Sequence, residues 1–403
     1  MNSSPQKKWG IIGDGQLARM LALAAYPLGI RPVMLTSDAN SSGAQVCPLQ
    51  VRGSTNSRTD LHALLSQVDF AIIESEFVNC DLLEATSLAN KVIPSIGSLR
   101  TLQDKLEQKK LLKRLGISTS PFYEPRLGFH GFEQLLKETS SAKVLKFATL
   151  GYDGKGVCVL EGKSTDRSRA EEFFQVATDR KIQVFAEDRV DFIYEVAMVS
   201  ARSSTGEIFH YPLVLSEQRE GVCYRVCGPA VHFGVDSSLE LLAMKWSQKI
   251  AEETNLIGTF AVEFFVTKGG SLLVNEIAPR VHNSAHYTQN AGFVSQFENH
   301  WRAVAGLPLG KTEAKGIFAM QNFLGPTGLF SKESAPIPSV TPAGSLHWYG
   351  KAGLSPKRKL GHLNVHGSLE QKEKLLKEVT SALISWEKET LRQIPPSPME
   401  IKL

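Results

Sequence analysis

The chain has 403 residues, 42% hydrophobic and 21% charged, the balance of a soluble globular protein and not of a disordered or collagen-like one. Lys and Arg (45) barely exceed Asp and Glu (41), and a net charge of +4 excludes recognition of nucleic acid or a membrane through the overall field. The length suits about two to four domains. The apolar run Met20 to Ala25 is too short to span a bilayer and follows no signal-peptide layout, so a cytoplasmic location is expected.

In chain order, the first 100 residues alternate strand and helix: strand Trp9–Gly13, a Leu/Ala-rich helix Gln16–Leu28, strands Pro32–Thr36 and Asp69–Glu74. That alternation predicts a parallel sheet. Thr101–Leu115 reads as one charged amphipathic helix ending at Gly116, after which Ser120-Pro121 forces an extended connection. From Lys143 to Pro279 the apolar runs are short and turn-bounded (144–146, 157–160, 184–186, 195–201, 260–266, 271–277), which predicts mostly antiparallel β structure with a few helices. Short β segments follow at 317–322, 345–349 and 361–365, and Ser368 with Gln371 forms a capping box before a long final helix. The five cysteines (Cys47, Cys80, Cys158, Cys223, Cys227) show no CxxC pair and read as reduced thiols.

Several segments carry chemistry. Gly13-Asp14-Gly15-Gln16-Leu17-Ala18, between a strand and a helix, matches a shortened dinucleotide fingerprint with Asp38 downstream; it can also be a tight turn without a ligand. Lys146 precedes a second glycine-rich turn, Gly151-Tyr152-Asp153-Gly154-Lys155-Gly156, whose backbone N–H groups can close over a polyphosphate while Lys146 supplies fixed charge. Glu263 and Glu276 lie on two strands joined by a Lys-Gly-Gly turn, where two carboxylates on one face call for a cation, and magnesium with substrate phosphates is the natural one. The polar run Asn275–Thr288 follows directly. In it, Arg280 offers a fork for phosphate-like charge, while His282 and His286 have helical zinc spacing but no third ligand. Glu187-Asp188-Arg189-Val190 with Glu195 can form a hinge receiving adenine and ribose, or an exposed charged turn. Lys351, Lys357, Arg358 and Lys359 make either a solvated basic face or an anion site.

Together these segments resemble the ATP-grasp superfamily, most closely its 5-(carboxyamino)imidazole ribonucleotide synthases, from about Trp9 to about His362. The resemblance implies a mixed α/β and α+β protein of three domains: an N-terminal Rossmann-like substrate domain (1–100), an ATP-grasp region (101–310, central subdomain about 120–190) and a small C-terminal β-rich domain with the final helix (311–403). It implies ATP and Mg2+ as cofactors, with Lys105, Lys146, Gly151, Gly154, Gly156, Glu187, Val190, Glu195 and Asn275 at ATP and Glu263 and Glu276 on the metal. Aminoimidazole ribonucleotide would meet Gly15, Gln16, Leu17, Glu76, Asp153, Lys351, Arg358 and Lys359. Tyr152, Lys155, Arg280 and His282 would surround the species derived from bicarbonate. A homodimer is implied as well.

The sequence departs from the family pattern at Leu150, Phe77, Val281, Ala285 and Ser355, and most at Leu215-Ser216-Glu217-Gln218, where the family shows Glu-Asn-x-His. Two other enzymes would use parts of the pattern. A formate-dependent glycinamide ribonucleotide transformylase has a serine-rich loop unlike Gly151–Gly156. A nicotinamide-dependent oxidoreductase leaves the paired glutamates unexplained.

Overall fold

The computed structural model describes residues 7–124, 129–131, 133–134, 142–151, 155–161, 166–340 and 344–394. Its first sheet is wholly parallel. Strands β1 (Trp9–Ile12), β2 (Val33–Thr36), β3 (Gln50–Arg52), β4 (Phe70–Ile73) and β5 (Val92–Ile93) lie in the order β3-β2-β1-β4-β5. Helix α1 (Gln16–Ala25) covers one face, while α2 (Arg58–Leu65), α3 (Cys80–Glu84) and α4 (Ile96–Gln103) cover the other. Both faces are therefore buried, which explains the continuous apolar runs of these strands. The carboxyl ends of β1 and β4 open on one edge, where such folds place ligands.

The expected single helix 101–115 is two. Asp104 ends α4 and caps α5 (Lys105–Arg114), its carboxylate accepting from the N–H groups of Leu106 (2.8 Å) and Glu107 (3.0 Å). An Asp engages free N–H groups at a helix start better than it serves inside one, so the chain turns here. The break makes Lys105 the first helical residue.

Two further sheets follow. Strands β6 (Phe122–Tyr123), β7 (Lys143–Phe147), β8 (Val157–Leu160) and β9 (Val184–Asp188) form a four-stranded antiparallel sheet, β6-β9-β7-β8, backed by α6 (Asp166–Asp179) through Ala170, Phe174 and Ala177. The larger, nine-stranded sheet contains β10 (Phe192–Arg202), β11 (Ile208–His210), β12 (Val214–Arg219), β13 (Val222–Gly228), β14 (Gly258–Thr267), β15 (Leu272–Ala278), β16 (Ile317–Leu324), β17 (Ser345–Trp348) and β18 (Lys359–Gly367). Its order is β15-β14-β10-β12-β13-β16-β18-β17, with β11 on β10. The C-terminal strands thus extend the sheet that begins with β10, through the β13–β16 pairing.

One face of β10, β14 and β15 buries Val196, Met198, Phe260, Val262 and Phe264 against α5 and α7 (Ser237–Glu253). Helix α8 (Gln296–Ala305) packs on α1 through Phe297 and Trp301, and the Trp301 indole donates to the Leu21 carbonyl at 2.7 Å. The final helix α9 (Lys372–Gln393) follows the expected Ser368–Gln371 capping box and covers β16 and β18. The five cysteines are free and buried. Among the described residues no helix is long and apolar enough to cross a membrane.

Candidate active site

The four-stranded sheet faces the open side of the β10–β14–β15 ladder, and the cleft between them gathers most of the expected residues. Glu263 on β14 is directly opposite Glu276 on β15. The register shifts immediately after this pair, leaving Asn275 as the extra residue of a β-bulge, so Asn275 and Glu276 are both only half-buried. Bulges re-aim side chains in this way. Glu195 pairs with Phe265, and Ala197 with Glu263, so Glu195 and Glu263 lie on the same face of adjacent strands. Enclosure in the cleft, with Glu276 and Glu195 adding repulsion, pushes the Glu263 carboxyl up to about 8. Burial likewise raises Glu195 to about 7, opposed by the charge of Lys146.

Cations meet these carboxylates from the opposite wall. Lys105 reaches Glu276 Oε2 at 2.5 Å, and its backbone N–H donates to the Ala148 carbonyl at 2.7 Å, fixing the start of α5 beside the end of β7. Lys146 donates to Asn275 Oδ1 at 3.1 Å and pairs with Glu187. The sequence reading placed Glu187 at adenine, but its carboxylate is buried in an ion-pair cluster: Oε1 meets Lys146, while Oε2 meets Lys109 at 2.9 Å and Ser120 Oγ at 2.6 Å. Burial works against that charge, yet the two lysines hold the carboxyl down to about 2. Only the backbone of Glu187 remains to meet a base, and Val190 is half-buried just beyond it.

The glycine-rich turn joins β7 to β8. Gly151 is buried, Gly156 has φ of +76°, and its carbonyl accepts from the Phe147 N–H at 2.9 Å. Leu150 also has positive φ, +60°, where a side chain is strained and glycine is favoured, which accounts for the small residue usual in the family at that place. Lys155 is exposed. Tyr152, Asp153 and Gly154 lie outside the described residues.

Beyond β15 the chain passes to the N-terminal sheet. Arg280 makes a bidentate pair with Glu76 after β4, through Nε and through Nη2 to Oε1 at 2.8 Å. Burial alone would raise Glu76, and the Arg280 guanidinium more than offsets it, holding the carboxyl below its usual range. His282 stands 3.7 Å from Glu263 Oε1, with Nδ1 2.9 Å from Ser284 Oγ. Burial and the charge of Arg280 keep it neutral. His286 turns instead toward Gln296 (3.1 Å) and the rings of Phe297 and His362, so the two histidines do not converge.

At the sheet's edge Lys351 donates to Gln16 Oε1 at 2.7 Å, bringing together two residues expected at the ribonucleotide. Two expectations change here, and a third residue stays near the site. Leu17 is buried in the core beneath α1, so its side chain packs and does not line a site. Arg358 turns Nη1 of its guanidinium back on its own loop, donating to the carbonyls of Ala352 (2.5 Å) and Gly353 (3.1 Å). Lys359, which the resemblance placed at the ribonucleotide, lies near the cleft: its charge acts on Glu263, His282 and His286. Adjacent residues at the start of a strand project to opposite sides, and β18 gives the inward side to Lys359. Ser216 and Gln218, in the segment that departs from the family pattern, bond to each other (2.9 Å).

Sequence reasoning missed two groups. Lys109, one turn after Lys105 on α5, is wholly buried with Glu187. Glu74 fills the first glycine-rich turn: its Oε2 accepts from the Gly15 N–H at 2.7 Å, and a Cβ at Gly15 would collide with it. Burial, with the charge of Asp14, pushes the Glu74 carboxyl up, and a pyrophosphate placed there would collide with it, which removes the dinucleotide reading.

The family models match along the chain in three parts: a ribonucleotide synthetase preATP-grasp domain (6–103), an ATP-grasp domain (110–297) and a phosphoribosylaminoimidazole carboxylase C-terminal domain (319–376). An N5-carboxyaminoimidazole ribonucleotide synthase of Vibrio parahaemolyticus is 36% identical, over 89% of this chain and 90% of its own. The chain belongs to the N5-carboxyaminoimidazole ribonucleotide synthase family. Such synthases are ATP-grasp enzymes, and Lys146, Glu187, Glu195, Glu263, Asn275 and Glu276 of the cleft lie within the residues matched to the ATP-grasp domain, with Lys105 and Lys109 just ahead of them. The carboxyaminoimidazole ribonucleotide synthase of Aspergillus clavatus complexed with ATP is 28% identical, with a TM-score of 0.84 over 94% of this chain and 99% of its own. A second structure from that organism, in complex with ADP and 5-aminoimidazole ribonucleotide, is 26% identical with a TM-score of 0.82 over the same shares.

Proposed function

We propose that this chain carboxylates 5-aminoimidazole ribonucleotide with bicarbonate at the expense of ATP, giving 5-(carboxyamino)imidazole ribonucleotide, ADP and phosphate in purine biosynthesis. The observation that carries this reading is the Arg280–Glu76 pair. It ties the segment after β15, under the charge of Glu276, to the end of β4, where Glu74 lies under the charge of Lys351, so a nucleotide and a ribonucleotide can approach one region from two sides.

Bicarbonate is a poor electrophile, and activation supplies what it lacks. Transfer of the γ-phosphoryl group to a bicarbonate oxygen forms carboxyphosphate and releases ADP. The amine of the ribonucleotide then attacks the carbon; the C–N bond forms as the C–O bond to phosphate breaks, and the amine proton leaves with phosphate. Lys105 and Lys146 neutralise the transferring group, and preorganised charge of this kind is a large part of catalysis. Arg280 and neutral His282 hold the acyl phosphate between the two substrates, and the family resemblance assigns Tyr152 and Lys155 to the acyl phosphate and Asp153 to the ribonucleotide. Gly151, Gly154 and Gly156 cradle the phosphates; Glu195 meets the ribose, and the backbone from Glu187 to Val190 meets adenine. Lys351, Gln16, Gly15 and Glu76 receive the ribonucleotide, with Lys359 as its second cation. A closed site keeps water from the acyl phosphate.

The carboxylates suit magnesium. Among the described residues no cluster of three or more His, Cys, Asp or Glu could hold a metal with protein ligands alone, but two carboxylates completed by substrate phosphates is an arrangement magnesium takes. Burial raises Glu263 and repulsion from Glu276 and Glu195 adds to it, and a cation would relieve that repulsion. When bound there by Glu263 and Glu276, magnesium supplies neutralisation of phosphate charge. A cytoplasmic homodimer divided at about residues 100 and 310 completes the reading.

Labelled bicarbonate tests it. With 18O-bicarbonate, ATP and the ribonucleotide, label should appear in the released phosphate. Label-free phosphate alongside turnover would rule out phosphorylation of bicarbonate.

A further inference from the structure

The buried cluster around Glu187 holds two lysines for one carboxylate, and the two are not equivalent. Lys146 has 11% of its side chain exposed and bonds across the cleft to Asn275. Lys109 has 2% exposed, and its ammonium is surrounded by partners: Thr119 Oγ1 at 2.7 Å, Ser120 Oγ at 2.9 Å and Glu187 Oε2 at 2.9 Å. The surroundings of Lys109 are anchored in turn. Thr119 Oγ1 donates to the Val274 carbonyl at 2.6 Å, and Ser120 Oγ donates to Glu187 Oε2 at 2.6 Å. One helical turn of α5 therefore sends Lys105 to Glu276, and Lys109 to the segment that leads into the four-stranded sheet. Lys109 is too deeply enclosed to touch a nucleotide. Lys146 can reach one, but in this structure it is held by Glu187.

We infer that Lys109 is a positioning residue: it is the resident counter-ion of Glu187, so that Lys146 can leave Glu187 for the nucleotide phosphates without stranding a buried anion. Removing one partner of a buried pair is costly because the other charge is left uncompensated. Oxygen Oε1 is released in the exchange, while Oε2 keeps Lys109 and Ser120. Without Lys109, Lys146 becomes the only cation on the carboxylate, and nucleotide binding has to compete with that pair. Burial and the nearby charge of Lys146 lower Lys109 to about 8, against the pull of Glu187.

The inference rests on the reading of Lys146 as a phosphate contact, and calorimetric titration of the full chain with MgATP separates the two. Lys146→Ala should weaken binding about 10-fold or more, and Lys109→Met should do the same without having touched the ligand. The double variant Lys109→Met/Glu187→Gln removes both charges at nearly constant volume, and should bring affinity back to within about threefold of the parent. A merely structural role for Lys109 would give no such rescue. Weak binding by Lys146→Ala with normal binding by Lys109→Met overturns the counter-ion role alone. Normal binding by Lys146→Ala overturns the phosphate contact and the inference with it. Should Lys109→Met not fold, the double variant decides: binding within about threefold of the parent supports the inference, and a loss of about 10-fold or more overturns it.

Discussion

Two glycine-rich turns follow buried strands in this chain, at Gly13–Gly15 after β1 and at Gly151–Gly156 after β7. The first is already filled by a carboxyl group of the same chain, because Glu74 from the end of β4 accepts the Gly15 N–H. The described ends of the second lie beside Lys146, whose charge faces the cleft. The glycines serve different ends accordingly. Gly13 and Gly15 make room for a carboxylate of the same chain, whereas Gly156 allows a positive-φ turn packed on Phe147. A glycine-rich turn is thus a phosphate cradle only if the residues opposite leave its N–H groups to a ligand, and those residues can be far away in sequence.

The largest effect should come from the cleft beside the second turn. Glu276→Gln keeps volume and discards a charge that meets Lys105 and suits a hard cation, so turnover should fall about 100-fold or more with the thermal midpoint little changed. Turnover near the parent's in a coupled ADP assay would break the assignment. At the first turn, Lys351→Ala should raise the Michaelis constant for the ribonucleotide roughly 10- to 150-fold, the equivalent of one charge-assisted bond, and leave that for ATP unchanged. Arg358→Ala should act more weakly, through the loop that carries Lys351, since its guanidinium bonds that loop.

The glycines themselves sharpen the contrast. Gly15→Ala displaces Glu74 and should raise the ribonucleotide constant alone; Gly156→Ala strains a +76° turn against Phe147 and should raise the ATP constant alone. Each should cost about 1–3 kcal/mol, or about 5- to 150-fold. Both variants shifting the same constant would erase the distinction between the turns. The smallest effect is on acid stability. Glu187 is depressed to about 2, so its contribution is present above the ordinary carboxylate pKa and is lost as pH falls from there toward 2. Glu187→Gln should therefore lose less stability than the parent between about pH 4.3 and 2, read as urea midpoints. Identical acid slopes would show that the two lysines do not hold that charge.

Much of this was legible in the sequence. Strand 157–160, the final capping box and the carboxylate hairpin follow from period and turn chemistry, because hairpin partners are near in sequence and register fixes which side chains face each other. What could not be read depended on long-range direction. Nothing local shows that Glu74 turns back on Gly15, that Arg280 crosses to Glu76, or that Lys359 and not Arg358 faces inward. The break at Asp104 was within reach, since Asp at a helix start is a common signal, but the amphipathic pattern runs through it.

The central claim is that ATP consumed in the cleft carboxylates the ribonucleotide bound at the first turn. ADP release measured with bicarbonate, with and without 5-aminoimidazole ribonucleotide, and with the product weighed by mass spectrometry, tests it most directly. Ribonucleotide-dependent ADP formation with a product heavier by one carboxyl group is the predicted result; ADP release indifferent to the ribonucleotide, with its mass unchanged, would contradict it.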